Sequence, residues 1–121
     1  LNREWALAQD KPASLITGVV VARTDFIKAN PQAVADFLTA YKASVEYVTD
    51  PNNIEAASDL VAKNEIVSAA IAQKAIPQCN ITFIAGEEMR ERLSGYLAIL
   101  FEQNPKAVGG ALPDENFYFV G

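Results

Sequence analysis

The chain has 121 residues, half of them hydrophobic, which is enough for one compact core and too apolar for a disordered polypeptide. Fifteen acidic residues against ten scattered basic ones give a net charge of −5, which argues against nucleic acid or an anionic lipid surface as a partner. One cysteine and no histidine exclude an internal disulfide, a CxxC site and a histidine base for a Ser or Cys nucleophile, and no apolar run reaches bilayer length.

Asn2 to about Gln9 reads as a short helix with Trp5 and Ala8 on one side, stopped by Asp10-Lys11-Pro12. Leu15-Ile16-Thr17-Gly18-Val19-Val20-Val21-Ala22 then reads as the one principal β-strand. It is β-branched and apolar on both faces, as in a strand buried on both sides, and Gly18 suggests a bend or a close backbone approach. A strand needs neighbours for its backbone groups, and no second strand of equal quality follows. Since the chain also opens on Leu1 rather than Met, the expectation is a piece of a larger protein whose other part holds the strand's partners.

Thr24 is expected to cap a short helix, and Asn30-Pro31 to restart the chain as a long one. In that helix Val34, Phe37, Leu38, Tyr41, Val45 and Val48 form an apolar stripe at helical spacing. Asp50-Pro51 repeats the cap-plus-proline device and opens a helix carrying Ile54, Ala57, Leu60 and Val61, which Asn64 ends. Another helix is expected from about Glu65 to Ala75, with Val67, Ala70 and Ile71 inward and Pro77 as its stop. Ile81-Thr82-Phe83-Ile84 reads as extended, as a short edge strand would be. Gly86-Glu87-Glu88 opens the last long helix, with Met89, Leu93, Tyr96, Leu97 and Leu100 on its buried face and Asn104-Pro105 at its end. The chain is therefore expected to be mainly α, with well over half its residues helical. The helix pairs from 31 to 76 do not recur at a fixed period, so a solenoid is not expected.

The candidate chemistry is sparse. Cys79 has no histidine to activate it and is expected to be a buried structural thiol. Glu87 and Glu88 are adjacent on a helix, point in different directions and suit the positive end of the helix dipole rather than a shared proton or metal. Asp114-Glu115-Asn116 reads as turn chemistry, and Gly109-Gly110 as a helix stop rather than a phosphate loop. The aromatic tail Phe117-Tyr118-Phe119 is expected to dock, either on its own domain or on another subunit. No catalytic, cofactor-binding or metal-ligating residue is expected.

The run Gly18-Val19-Val20-Val21-Ala22-Arg23-Thr24-Asp25-Phe26-Ile27, followed by Asn30-Pro31-Gln32-Ala33-Val34, resembles the late part of extracytoplasmic substrate-binding proteins of ABC transporters, of the nitrate/taurine/thiamine-precursor type. Asn52-Asn53-Ile54-Glu55-Ala56-Ala57 is similar to the helix that follows there. Ala75–Ile81, Gly86-Glu87-Glu88-Met89, Asn104-Pro105 and Val108–Tyr118 fit the same order, so the resemblance runs from about Glu4 to Tyr118.

The resemblance implies a C-terminal fragment of a two-lobed α/β, periplasmic-binding-protein-like fold. Residues 1–12 would end the second lobe, 15–22 would be the returning crossover strand, and 24–121 would be the C-terminal helices and tail of a single helical segment. Gly18 would suit a hinge. The implied function is delivery of a small-molecule solute to ABC permease subunits, outside the cytoplasm, by a periplasmic protein or a cell-surface lipoprotein. Ligand contacts would lie upstream, so the substrate-binding residues are unknown. The resemblance implies no cofactor and no enzyme activity. Some thiamine-pathway proteins similar to this group make a pyrimidine with histidine and cofactor groups, and this chain has no histidine. The alternative reading is a helical protein–protein interaction module that uses the tail or the Val34–Val48 stripe. A strand without its sheet also leads to the expectation of a homodimer through residues 15–22.

Overall fold

The structure, a computed structural model, describes residues 2–7 and 14–121. It is 69% helical, counting short 3-10 turns, and contains no strand among the described residues. Six α-helices follow in order: α1 Asn2–Leu7, α2 Thr24–Ala29, α3 Pro31–Thr49, α4 Ile54–Lys63, α5 Ala69–Ala75 and α6 Gly86–Gln103. Of the expected first helix, Ala8, Gln9 and the stop at Asp10-Lys11-Pro12 lie outside the described residues. None of the described helices is long and apolar enough to cross a membrane.

The α/β expectation is therefore corrected to a mainly α fold, with no sheet among the described residues. Residues 15–22 have the composition of a strand, but a strand exists only through a partner ladder. Ile81–Ala85, the other extended stretch, is also irregular and offers none. Val19, Val20 and Val21 are 57%, 55% and 77% exposed, so residues 19–21 are covered on neither face, while Leu15 and Ile16 are half-buried. Gly18 is neither in a left-handed conformation nor closely approached: a Cβ there would meet nothing within 4 Å.

The described residues form two compact units, Ala22–Phe83 on the one hand and the residues up to Val21 with Ile84–Gly121 on the other. In the Ala22–Phe83 unit, junction chemistry sets the helices. The N-cap of α2 is Arg23, without a side-chain bond, and Thr24 is already helical, which corrects the expected cap. Asn30 closes α2: its backbone N–H and its Nδ2 both donate to the Phe26 carbonyl, at 2.9 and 3.0 Å. Pro31 then takes the first position of α3, where no N–H is needed. Asp50 ends α3 and caps a 3-10 turn at Pro51–Asn53, its Oδ1 accepting the Asn52 N–H at 2.9 Å, and that turn runs into α4.

The end of α4 explains why no helix starts at Glu65. The Ile66 N–H donates to Val61 O at 3.2 Å and the Glu65 N–H to Ala62 O at 3.0 Å, the paired closure of a Schellman motif. Glu65 stands where glycine is usual, with φ 58°. Such a residue cannot begin a right-handed helix, so α5 waits until Ala69, behind Ser68. The inward face of α5 is consequently Ala72, 2% exposed, rather than Val67 or Ile71, which are 41% and 57% exposed.

The tightest packing is between α4 and α5. Ala57, Ser58 and Ala72 are buried there, and the Ser58 Oγ is satisfied by donating to Ile54 O at 2.6 Å. Small residues let two helix backbones approach closely. On α3 the apolar stripe is only partly covered: Val45 is buried, Val34, Leu38 and Val48 are half-buried, and Phe37 and Tyr41 are exposed.

In the other unit, Trp5 of α1 meets Tyr96 of α6 with ring centroids 5.5 Å apart. Met89, Leu93, Tyr96, Leu97 and Leu100 are all half-buried on α6. Asn104 ends α6 and caps the 3-10 turn Pro105–Val108, which packs back on α6. Gly109 and Gly110, at φ 80° and 90°, stop that turn, as expected of a glycine pair.

Two substitutions test this packing in urea melts. Ala57→Leu should lower the unfolding free energy by about 1–3 kcal/mol through overpacking, while Ala56→Leu on the exposed face should stay within about 0.5 kcal/mol. Equal effects would place the packed face of α4 elsewhere. Glu65→Gly should raise stability by about 0.5–1 kcal/mol, because it removes the left-handed penalty of a residue with a Cβ.

Candidate functional site

The first turn of α6 carries the densest charge chemistry among the described residues. Gly86 starts the helix with φ 64°, and Glu87 and Glu88 follow where the dipole favours carboxylates. The two glutamates do not act together. Glu87 Oε2 lies 2.7 Å from Arg90 Nη2, and Glu88 Oε1 lies 2.6 Å from Arg92 Nη2. Each is an intrahelical pair at the spacing that brings side chains together. Arg90 reaches further: its Nη1 donates to Glu115 Oε2 at 2.6 Å. Arg92 Nη1 donates to Ser14 Oγ at 3.4 Å.

Asp114-Glu115-Asn116 accordingly divides its work. Asp114 caps the 3-10 turn Glu115–Phe117, its Oδ1 accepting the Asn116 N–H at 2.9 Å, which is the turn role expected. Glu115 leaves the turn and pins it to α6. Sequence spacing carries no signal for that link, because only the fold brings the two segments together. The two carboxylates hold the Arg90 guanidinium above its ordinary pKa, first through the Glu115 hydrogen bond and then through the charge of Glu87. These pairs are open to solvent, so their part in stability is small. Among the described residues no group of three carboxylate or cysteine ligands converges on a point where a metal ion would sit.

Cys79 is exposed, which corrects the expected buried thiol. The 3-10 turn Ile76–Gln78 that follows α5 carries it outward, and its N–H closes that turn on Ile76 O at 3.2 Å. Asn80 beside it holds φ 50°.

The aromatic tail is half docked. Phe117 and Tyr118 meet edge to face with centroids 5.2 Å apart. Tyr118 is half-buried, while Phe117 and Phe119 are 57% and 38% exposed. A second aromatic group lies in the Ala22–Phe83 unit. Phe37 and Tyr41 stack at 5.6 Å, and Phe83 meets Tyr41 edge-on at 5.8 Å. The first two were legible as a helical pair one turn apart. Phe83 was not, because its run of four apolar residues gives no hint of where it folds.

The same unit holds a groove of about 300 Å³, at the small end of the range for ligand sites. Its walls are chiefly Val48, Pro51, Ile54, Ile76, Pro77 and Ile81. Two of its polar groups are already engaged: Asp50 Oδ1 with Asn52, and Thr49 Oγ1 with Val45 O at 2.8 Å. The groove thus offers apolar contact and no acid–base pair.

No protein-family model, curated protein or solved structure matches the chain.

The Tyr118 hydroxyl is pushed above the ordinary value of 10.0, mainly by burial and then by the charge of Glu115. The unfolded chain therefore releases this proton first as pH rises, and the associated stability is lost from about pH 10 upward through the raised folded value. Alkaline titration of tyrosinate absorbance should show one of the four tyrosines ionising late. Glu115→Gln should bring that step down, and Tyr118→Phe should delete it. A late step that persists in Tyr118→Phe belongs to another residue.

Proposed function

We propose that this chain is part of an extracytoplasmic solute-binding protein that delivers a small molecule to an ABC importer. The reading rests on the ordered motifs of the sequence. Its main structural support is where those motifs fall. Asn30-Pro31, Asn104-Pro105 and Asp114 each lie at the start of a helical element, with the proline in the first turn or the acid as cap. The matching stretches at these places thus coincide with helix starts. The chemistry points the same way. Cys79 stands without a histidine, and Glu87 and Glu88 of α6 are engaged by arginines, as suits a protein that binds and hands on its ligand unchanged. The two-lobed architecture is not part of the proposal.

A second reading, a helical interaction module, is favoured by one observation. Phe37 and Tyr41 stack on each other while remaining 48% and 40% exposed, a preorganised aromatic pair of the kind that anchors a partner helix.

Uptake separates the two. Cells from which the coding sequence has been deleted should lose high-affinity uptake of one class among radiolabelled nitrate, sulfonates and thiamine-precursor pyrimidines, and a plasmid copy should restore it. Unchanged uptake of all three would overturn the transport reading. Phe37→Ala and Tyr41→Ala in the plasmid copy should leave uptake intact unless the aromatic pair is itself the working surface.

A further inference from the structure

The loop after α5 holds a tripeptide that neither reading uses, Asn80-Ile81-Thr82. It has the pattern of an N-linked glycan acceptor: asparagine, any residue but proline, then a hydroxyl residue. None of the other asparagines in the chain has serine or threonine two residues on. A tripeptide of this kind also turns up by chance, so its setting decides.

The setting suits transfer. Cys79 and Asn80 form the turn that leaves the 3-10 turn Ile76–Gln78, and residues 81–85 run on without helix or strand. Asn80, Ile81 and Thr82 are all exposed. A helical or buried tripeptide would have to unfold to enter a transferase, and this one does not. Asn80 holds φ 50°, a conformation that asparagine tolerates better than most residues. Its side chain is also idle. The Nδ2 groups of Asn30, Asn53 and Asn64 donate to backbone carbonyls, that of Asn52 donates to Asp50 Oδ1, and Asn104 is a cap. Among the described residues Asn80 Nδ2 has no partner, so the atom that must react is free. The Thr82 hydroxyl donates to Asn80 O at 3.0 Å, a surface bond within the tripeptide that an enzyme group can replace.

We infer that Asn80 is an acceptor for an N-linked glycan, with a lipid pyrophosphate-linked oligosaccharide as donor. Asn80 Nδ2 bonds to the anomeric carbon of the first sugar. The bond from that carbon to the pyrophosphate oxygen breaks, and the lipid pyrophosphate leaves with the electron pair. Nδ2 gives up one proton to solvent, and nothing is oxidised or reduced. Such transfer takes place outside the cytoplasm, so its use in the cell rests on the extracytoplasmic reading, whereas the acceptor chemistry does not.

The test incubates the folded 121-residue chain with a purified oligosaccharyltransferase that reads Asn-X-Thr and its lipid-linked donor, followed by peptide mass mapping. One glycan should appear, on Asn80, and N-glycosidase should remove it and leave aspartate in its place. Thr82→Ala should abolish transfer although Asn80 remains, Thr82→Ser should keep it, and Asn80→Gln should abolish it. Asn116 is exposed but has Tyr118 two residues on, and should stay bare. Urea melts verify that the variants fold. No transfer to the folded chain, transfer to another asparagine, or transfer that survives Thr82→Ala would each overturn the inference wherever the chain resides. The same peptide from cells that make the protein separates this inference from the transport reading. If deletion abolishes solute uptake and native Asn80 is bare, the inference falls and the transport reading stands. A glycan on native Asn80 with uptake unchanged by deletion leaves the inference standing and removes the transport reading.

Discussion

Backbone hydrogen bonds in this protein are closed locally, and that constraint organises the rest. Almost every described N–H and C=O that is paired is paired within a helix or at its cap. Where a helix runs out, a side chain or a short turn takes over. Asn30 doubles its bond to Phe26 O, Asp50 accepts from Asn52, and Asn104 accepts from Lys106. Proline at the next position then starts a new element without needing a donor. A chain built in this way changes direction sharply without a sheet. Its elements can be ordered even where little is buried between them.

Little is buried indeed, and what is buried is small. The fully covered residues of the described set are Val45, Ala57, Ser58 and Ala72, all in Ala22–Phe83. Close approach of α4 and α5 is possible because alanine and serine occupy the contact, and the Schellman closure at Asn64–Ile66 turns the chain back for it. The large apolar side chains sit elsewhere. Phe37, Tyr41, Leu60 and Ile71 remain between 40% and 57% exposed. Burial of large side chains is the usual source of stability in a domain. Here those side chains face outward, as surface available to another molecule.

The parts of this fold that were legible in the sequence are those with local causes. Asn30-Pro31, Asp50-Pro51, Asn104-Pro105, Asn64 and Gly86 mark real helix boundaries, because a cap or a proline acts within one turn of itself. Long-range outcomes were not legible. Residues 15–22 have every intrinsic property of a strand, yet strand formation is a property of a pair, and no second strand is found among the described residues. Glu65 misled in the opposite sense: its composition suits a helix, but the six-to-one bond between Ile66 and Val61 fixes it left-handed. Cys79 follows the same logic. A lone thiol is apolar enough for a core, and only the turn after α5 decides that it faces out. Of the candidate site, the intrahelical Glu87–Arg90 and Glu88–Arg92 pairs could be read from spacing, and the Arg90–Glu115 link could not.

The balance of these forces bears on function more than any single residue does. Enzyme sites gather titratable groups into a shielded pocket, where desolvation shifts their pKa values. Here Glu87, Glu88, Arg90, Arg92 and Glu115 are paired in the open, and the groove of about 300 Å³ is walled chiefly by valine, isoleucine and proline. Tyr118, half-buried, has its pKa moved away from neutrality rather than towards it. Chemistry and exposure therefore separate in this chain. The polar groups are spent on helix starts and on pinning the tail, while the outward apolar side chains are left unsatisfied. That outward apolar surface is what both proposed readings, transport and association, draw on.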